Sequence, residues 1–187
     1  MGVILALFLC GCGADADQNS NITQSPDSNA DEQDETQVVQ KLTLDPDSPV
    51  STSDLSIQIL GCKLYDVIEG ESYTDTPDGG KNFLVLFLGL RNKSDEVIYF
   101  TPEGLSATVD GEKIEHKFLV NDPEGYTTAF QNIPAKGIAG GFIVWEVPEE
   151  WNEFSFIYDG WVNDGISIQC TLTPDMLSDP EPIESGY

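Results

Sequence analysis

Four cysteines, one histidine and 33 carboxylates are the groups in this 187-residue chain whose types suit bond-making chemistry. Cys10 and Cys12 stand two apart, as in half of a thiolate metal clip or a redox pair. Either use needs a second ligand pair, and only Cys62, Cys170 and His116 remain to supply one. His116 lies in "EKIEHKF" with the parity of Ile114 and Phe118, so it reads as a half-buried strand residue. No nucleophile and orienting carboxylate accompany it at a readable spacing. Glycoside chemistry would need one carboxylate pair, which 33 candidates do not single out. Asp45-x-Asp47, Asp75-Thr76-Pro77-Asp78 and Asn121-Asp122-Pro123-Glu124 raise calcium, but the Asp-x-Asp-x-Asp-Gly pattern with a later Glu is absent. They read as solvated acidic loops. The chain is therefore expected to be no enzyme and to carry no metal and no cofactor.

The two early cysteines gain a different meaning from what precedes them. Val3 to Leu9 is an apolar run of about seven residues, short of the roughly 20 that span a bilayer and within the 7–15 of a signal-peptide core. Leu9-Cys10-Gly11-Cys12 follows at once and resembles the bacterial lipobox, a Leu three places before an obligatory Cys with a small residue between. Small side chains admit the peptidase to the scissile bond, and the thiol accepts a diacylglyceryl group that stays in the membrane. The reading is lipidation at Cys12 after removal of a signal peptide, 1–11. The alternatives are an unprocessed N-terminal anchor and a metal or redox clip.

From residue 12 to residue 50 the composition turns to Asp, Glu, Asn, Gln, Ser, Thr and Pro. So few apolar groups cannot offset the entropy of ordering. Nine carboxylates against Lys41 give this stretch −8, and the remainder carries −17 of the chain's −25. It reads as a disordered acidic tether, reaching on the order of 35 Å as a flexible coil. The domain is placed at 51–175, with an acidic C-terminal tail at 176–187. So negative a surface excludes nucleic acid as a partner.

The domain reads as strand nearly throughout. Leu55 to Ile68, Asn82 to Asn92, Val97 to Thr101, Leu105 to Val109, Glu112 to Val120, Ile138 to Val147, Glu153 to Asp159 and Ile166 to Leu172 make eight. Asp110-Gly111 is a strong two-residue hairpin signal. "FLVLFLGL", Phe83 to Leu90, is apolar at every position and calls for a central strand covered on both faces, while Ile166 to Leu172 alternates as a half-buried strand should. Short strands at this spacing predict an all-β antiparallel sandwich or barrel. Trp145, centred in a strand, reads as core. Trp151 and Trp161 at turn edges, with Tyr73, are the candidate exposed patch for stacking on a sugar or a partner's side chain.

"GGKNFLVLFLGLRNKSDE" followed by "NIPAKGIAGGFIVWEVPEEWNEFSFIY" resembles the immunoglobulin-like, telokin-like domain of unknown function of Gram-positive bacterial lipoproteins. The likeness covers roughly Leu55 to Leu172. It implies an immunoglobulin-like β-sandwich outside the cell and brings no catalytic residue. Such a topology also brings the opening and closing strands together, which offers a disulfide between Cys62 and Cys170. Its loop of about 108 residues would stabilise the fold by roughly 4–5 kcal/mol. The alternative is two buried thiols, and Cys62 shares a face with Ile57 and Ile59 only if Gly61 forms a bulge. The functional expectation is a lipid-anchored binding or interaction module on the extracytoplasmic face of the cell membrane, with an envelope protein or glycan as its partner. The rivals are an accessory structural lipoprotein without a ligand and a carbohydrate-binding module using exposed Trp residues.

Overall fold

The structure, a computed structural model, describes residues 40–161 and 166–183. The expected signal peptide, Cys12 and the expected tether up to residue 39 lie outside the described residues, as do residues 162–165 and the last four residues.

Two five-stranded sheets face each other. Numbered in chain order, the first holds β1 (Gln40–Thr43), β14 (Ile166–Leu172), β13 (Phe154–Tyr158), β8 (Leu105–Val109) and β9 (Glu112–Ile114), neighbours in that order. The second holds β10 (His116–Lys117), β12 (Ile138–Pro148), β6 (Lys81–Asn92), β3 (Leu55–Tyr65) and β2 (Val50–Ser51). Two small ribbons complete the fold: β4 (Ile68–Glu69) with β5 (Thr74–Asp75), and β7 (Ile98–Tyr99) with β11 (Asn132–Ile133). Among the described residues all strand-to-strand pairings are antiparallel except that of β1 with β14. The expected β-sandwich is the fold found.

The continuous apolar run is covered on both faces, as its composition requires. Leu84, Leu86, Leu88 and Leu90 of β6 point into the main core with Trp145, Phe154, Phe156 and Tyr158. Phe83, Val85 and Phe87 point the other way, into a second cluster with Leu60, Ile68, Phe142 and Val144. Tyr65, Leu119, Tyr126 and Ile183 roof that cluster, so the β4–β5 ribbon, the 118–128 loop and the C-terminal segment cover what would otherwise be an exposed apolar sheet face.

A register shift between Ile59 and Gly61 is the bulge that the sequence made conditional. It turns Leu60 outward to the second cluster and restores Cys62 to the main core beside Ile57 and Ile59. Asp110 (φ 49°) and Gly111 (φ 83°) are both left-handed, as the two-residue β8–β9 turn demands.

Three boundaries differ from the sequence reading. The sandwich begins before residue 51: β1 pairs with β14, and Leu44 is buried in the main core. Leu42 and Leu44 alternate with polar neighbours over too few residues to announce a strand. At the other end, residues 176–183 of the expected tail lie on β3, with Ser178 and Glu181 donating backbone N–H groups to Cys62 and Leu60. The expected strand Glu112 to Val120 is broken at Glu115, because Ile114 still pairs with Ala107 in the first sheet whereas His116 already pairs with Trp145 in the second.

Candidate binding cleft

The sandwich opens at one end into a cleft of about 710 Å³. The first residues of β3 and β14, with β1 and β2, supply Leu42, Val50, Leu55, Ile57, Ile166 and Ile168 to its walls. Ile98 and Tyr99 of β7 and Trp161 close another side. The strands end here because the backbone must turn, and the chain between β6 and β7 turns on a buried side chain. Asn92 donates its amide to the carbonyls of Glu96 (2.6 Å) and Ile133 (3.0 Å). Its Oδ1 accepts the backbone N–H (2.9 Å) and the hydroxyl (2.8 Å) of Ser94. All four hydrogen-bonding positions of the amide are used, and this fixes the Ser94–Ile98 wall.

Trp161 is half-buried in the cleft. One face stacks on Phe100 (centroids 5.6 Å apart, 27° between planes), and its edge meets Tyr158 at 4.8 Å. Asp54 and Glu96 stand among the lining residues, and neither belongs to an ion pair among the described residues. Apolar walls with a few polar groups, in a volume of this size, are the usual make-up of a small-molecule site.

The expected aromatic patch is not assembled. Trp151 is buried at 7% exposure in the main core, because the turn after β12 folds its ring inward. Tyr73 stands 57% exposed on the β4–β5 ribbon, and Trp161 lines the cleft. No aromatic contact joins the three among the described residues. Sequence reasoning missed the cleft because its walls come from strand ends, which carry no signal of their own.

The disulfide offered for Cys62 and Cys170 is not formed; both thiols are free and buried. Burial pushes Cys62 up to about 12, with Cys170 beside it adding to the rise. Burial does the same for Cys170, also to about 12, with Asp45 contributing. Neither is a reactive thiolate.

His116 lies between aromatic rings, 5.0 Å from Phe118 and 5.3 Å from Phe130, and lines a second hollow of about 390 Å³ with Lys113 and Glu115. Its Nε2 is buried without a partner. Among the described residues no group of three or more His, Cys, Asp or Glu side chains converges as a metal site would require. The acidic loops have other partners. Asp75 is buried and accepts backbone N–H groups, Asp78 pairs with Lys81 at 3.4 Å, and Glu124 accepts from Lys63 (3.0 Å) and the Tyr65 hydroxyl (2.8 Å). Lys63, and after it Tyr65, hold the Glu124 carboxyl below its usual range. No helix among the described residues is long and apolar enough to cross a membrane.

No protein-family profile and no curated protein matches this chain. Solved structures do share its fold. A candidate lipoprotein of Bacillus subtilis, ycdA, superposes with a TM-score of 0.50 at 11% identity over 68% of this chain and 38% of that one. The yjhA protein of the same organism gives 0.52 at 9% identity over 68% and 97%. An uncharacterized β-sandwich protein of Clostridium difficile gives 0.47 at 13% identity over 72% and 96%. This chain thus spans under two fifths of the length of ycdA. At these identities the likeness is one of fold, and the sandwich implied by the sequence resemblance is the architecture that these Gram-positive proteins share with this chain.

Proposed function

We propose that this protein is a lipid-anchored binding module on the extracytoplasmic face of the cell membrane, held there through Cys12, and that it takes a small apolar ligand into the cleft at the end of its sandwich. The cleft of about 710 Å³ carries the reading: apolar walls from five strands, an aromatic face at Trp161, and Asp54 and Glu96 as its charged groups. The carboxylates favour a ligand that presents a positive charge. The location rests on the Leu9-Cys10-Gly11-Cys12 pattern after a short apolar run, and two acyl chains would anchor the protein stably where one would not. In this reading the protein performs no catalysis. Its single histidine is held between Phe118 and Phe130, and among the described residues no carboxylate is hydrogen-bonded to it to orient it as a base.

Two measurements test this. Cys12→Ser should release the protein to the medium, and retention in the membrane would remove the anchor from the reading. Tryptophan fluorescence should change saturably with 4-phenylbutylamine and less with 4-phenylbutyrate, and Val50→Arg, which places a charge in the partly exposed wall, should abolish both changes. If neither probe alters the emission of the folded protein, the binding reading fails. An accessory structural lipoprotein then stands in its place.

A further inference from the structure

After β14 the chain makes a short turn at Pro174–Met176 and then crosses the outer side of the second sheet. It does so as an extended arm. Ser178 N–H donates to the Cys62 carbonyl and Glu181 N–H to the Leu60 carbonyl, each at 2.8 Å, so the arm pairs with the free edge of β3 at its bulge. Tyr126 donates its hydroxyl to the Glu181 carbonyl at 2.7 Å, Lys63 meets Asp179 at 2.7 Å, and Ile183 packs in the second cluster.

The floor beneath the arm is glycine. A Cβ at Gly61 would lie 2.7 Å from Pro180 Cα and 2.8 Å from the Asp179 carbonyl oxygen, both main-chain atoms that cannot swing away. A Cβ at Gly140 would collide with the Ile183 side chain. The sheet therefore carries a groove cut to the arm's outline. Pro180 and Pro182 have no N–H, so the arm closes the β3 edge without offering a new one.

Little holds the arm: two backbone hydrogen bonds, one hydroxyl, the two partly buried side chains of Leu177 and Ile183, and an ion pair whose Asp179 is 83% exposed. Segments so held open far more readily than the core. A terminal arm that opens can be replaced by the same arm of another molecule with every contact conserved, which is the low-cost route to a dimer.

We propose that this groove is a docking site for an extended, acidic, proline-containing segment, and that its second occupant is the 177–183 arm of another copy of this chain, exchanged for the resident one. The chemistry selects this partner. Asp179 matches Lys63, Ile183 fills the space at Gly140, and the prolines flank Glu181, which donates to β3. The inference is independent of the cleft.

The test uses two full-length variants. Gly61→Ala blocks the groove and leaves the arm intact; Ile183→Asp disables the arm and leaves the groove intact. Each alone should sediment as a monomer, and an equimolar mixture of the two should give a heterodimer joined by one arm in one groove. A mixture that stays monomeric, with both variants melting cooperatively, overturns the proposal. Should either variant not fold, a labelled peptide of residues 174–187 is titrated into the unmodified protein. Saturable binding is expected, weakened roughly tenfold or more by Ile183→Asp in the peptide through loss of its buried side chain. No binding, or equal binding by the two peptides, overturns the proposal as well.

Discussion

The carboxylate of Asp75 accepts both the backbone N–H of Asn121, at 2.9 Å, and its side-chain amide, at 2.8 Å. The Val120 N–H reaches the same carboxylate at 3.1 Å. Asp75 is thus a buried acid satisfied by a loop distant in sequence, and it pins the β4–β5 ribbon to the segment that carries the exposed Phe118 and Val120. Asp75→Ala should destabilise the domain by about 2–3 kcal/mol, because buried donors lose a charged acceptor. Asp75→Asn should cost less. Urea unfolding measures both, and an Ala variant within error of the unmodified protein would show that the loop is held by its apolar contacts instead.

Asn92 invites a comparable test at the cleft. It is fully buried and uses its amide on two carbonyls. Asn92→Asp would turn a carboxylate toward both oxygens, and a loss of about 3 kcal/mol or more is expected. Ser94→Ala removes one partner of Oδ1 and should cost only about 1 kcal/mol. Thermal melting should rank the two in that order.

The thiols make a prediction on the alkaline side. Each is raised by burial to about 12, so the native state keeps protons that the unfolded chain releases above about 9. Unfolding then binds fewer protons in the product state, and stability, fully present below about 9, falls as pH rises toward 12. A Cys62→Ala, Cys170→Ala double variant should lose part of that decline; curves that stay parallel would refute the assignment. In the native protein both thiols should resist alkylation, and peptide mass analysis should find each modified only after unfolding, with no two-hydrogen deficit between them.

Glu124 gives the acid counterpart. Lys63 and Tyr65 depress its carboxyl, so its contribution is present above the ordinary carboxylate range near 4.3 and is lost as pH falls below it. The pair is largely solvated, which keeps the effect below about 1 kcal/mol. Glu124→Gln should flatten the acid limb of the stability profile slightly. Glu124→Gly should also relieve a left-handed backbone at φ 53°. A Gly variant less stable than the Gln variant would argue against strain there.

The strands that the sequence announced were those whose side chains report two faces at once. Phe83 to Leu90 needed cover above and below, and the two clusters supply it; Ile166 to Leu172 alternated, and its burial alternates from Ile168 to Leu172, although Ser167 is buried as well. Asp110-Gly111 announced its turn through backbone sterics, and the Asp110 carboxylate adds hydrogen bonds from the Asn152 and Glu153 N–H groups. What could not be read were elements of two to four residues: β1, which pairs with a strand far along the chain, and β2 and the β4–β5 ribbon, whose pairings are local but too short to leave a periodic signal. Trp151 illustrates the same limit, since a turn position says nothing about which way a ring folds. The roof over the second cluster was equally silent: Ile183 is a lone apolar residue among acids and prolines, and only Gly140 opposite it explains its place.

The parallel pairing of β1 with β14 has a mechanical meaning. Because β1 runs alongside β14 in the same direction, from Gln40 beside Ile166 to Thr43 beside Gln169, the leading end of β1 and the trailing end of β14 point opposite ways. A pull at residue 40 against the rest of the domain loads those rungs, and the Leu44 to Gln169 bond beyond them, side by side in shear instead of unzipping them singly. Drag on the domain would therefore be borne by several hydrogen bonds at once before any strand is stripped from the sheet.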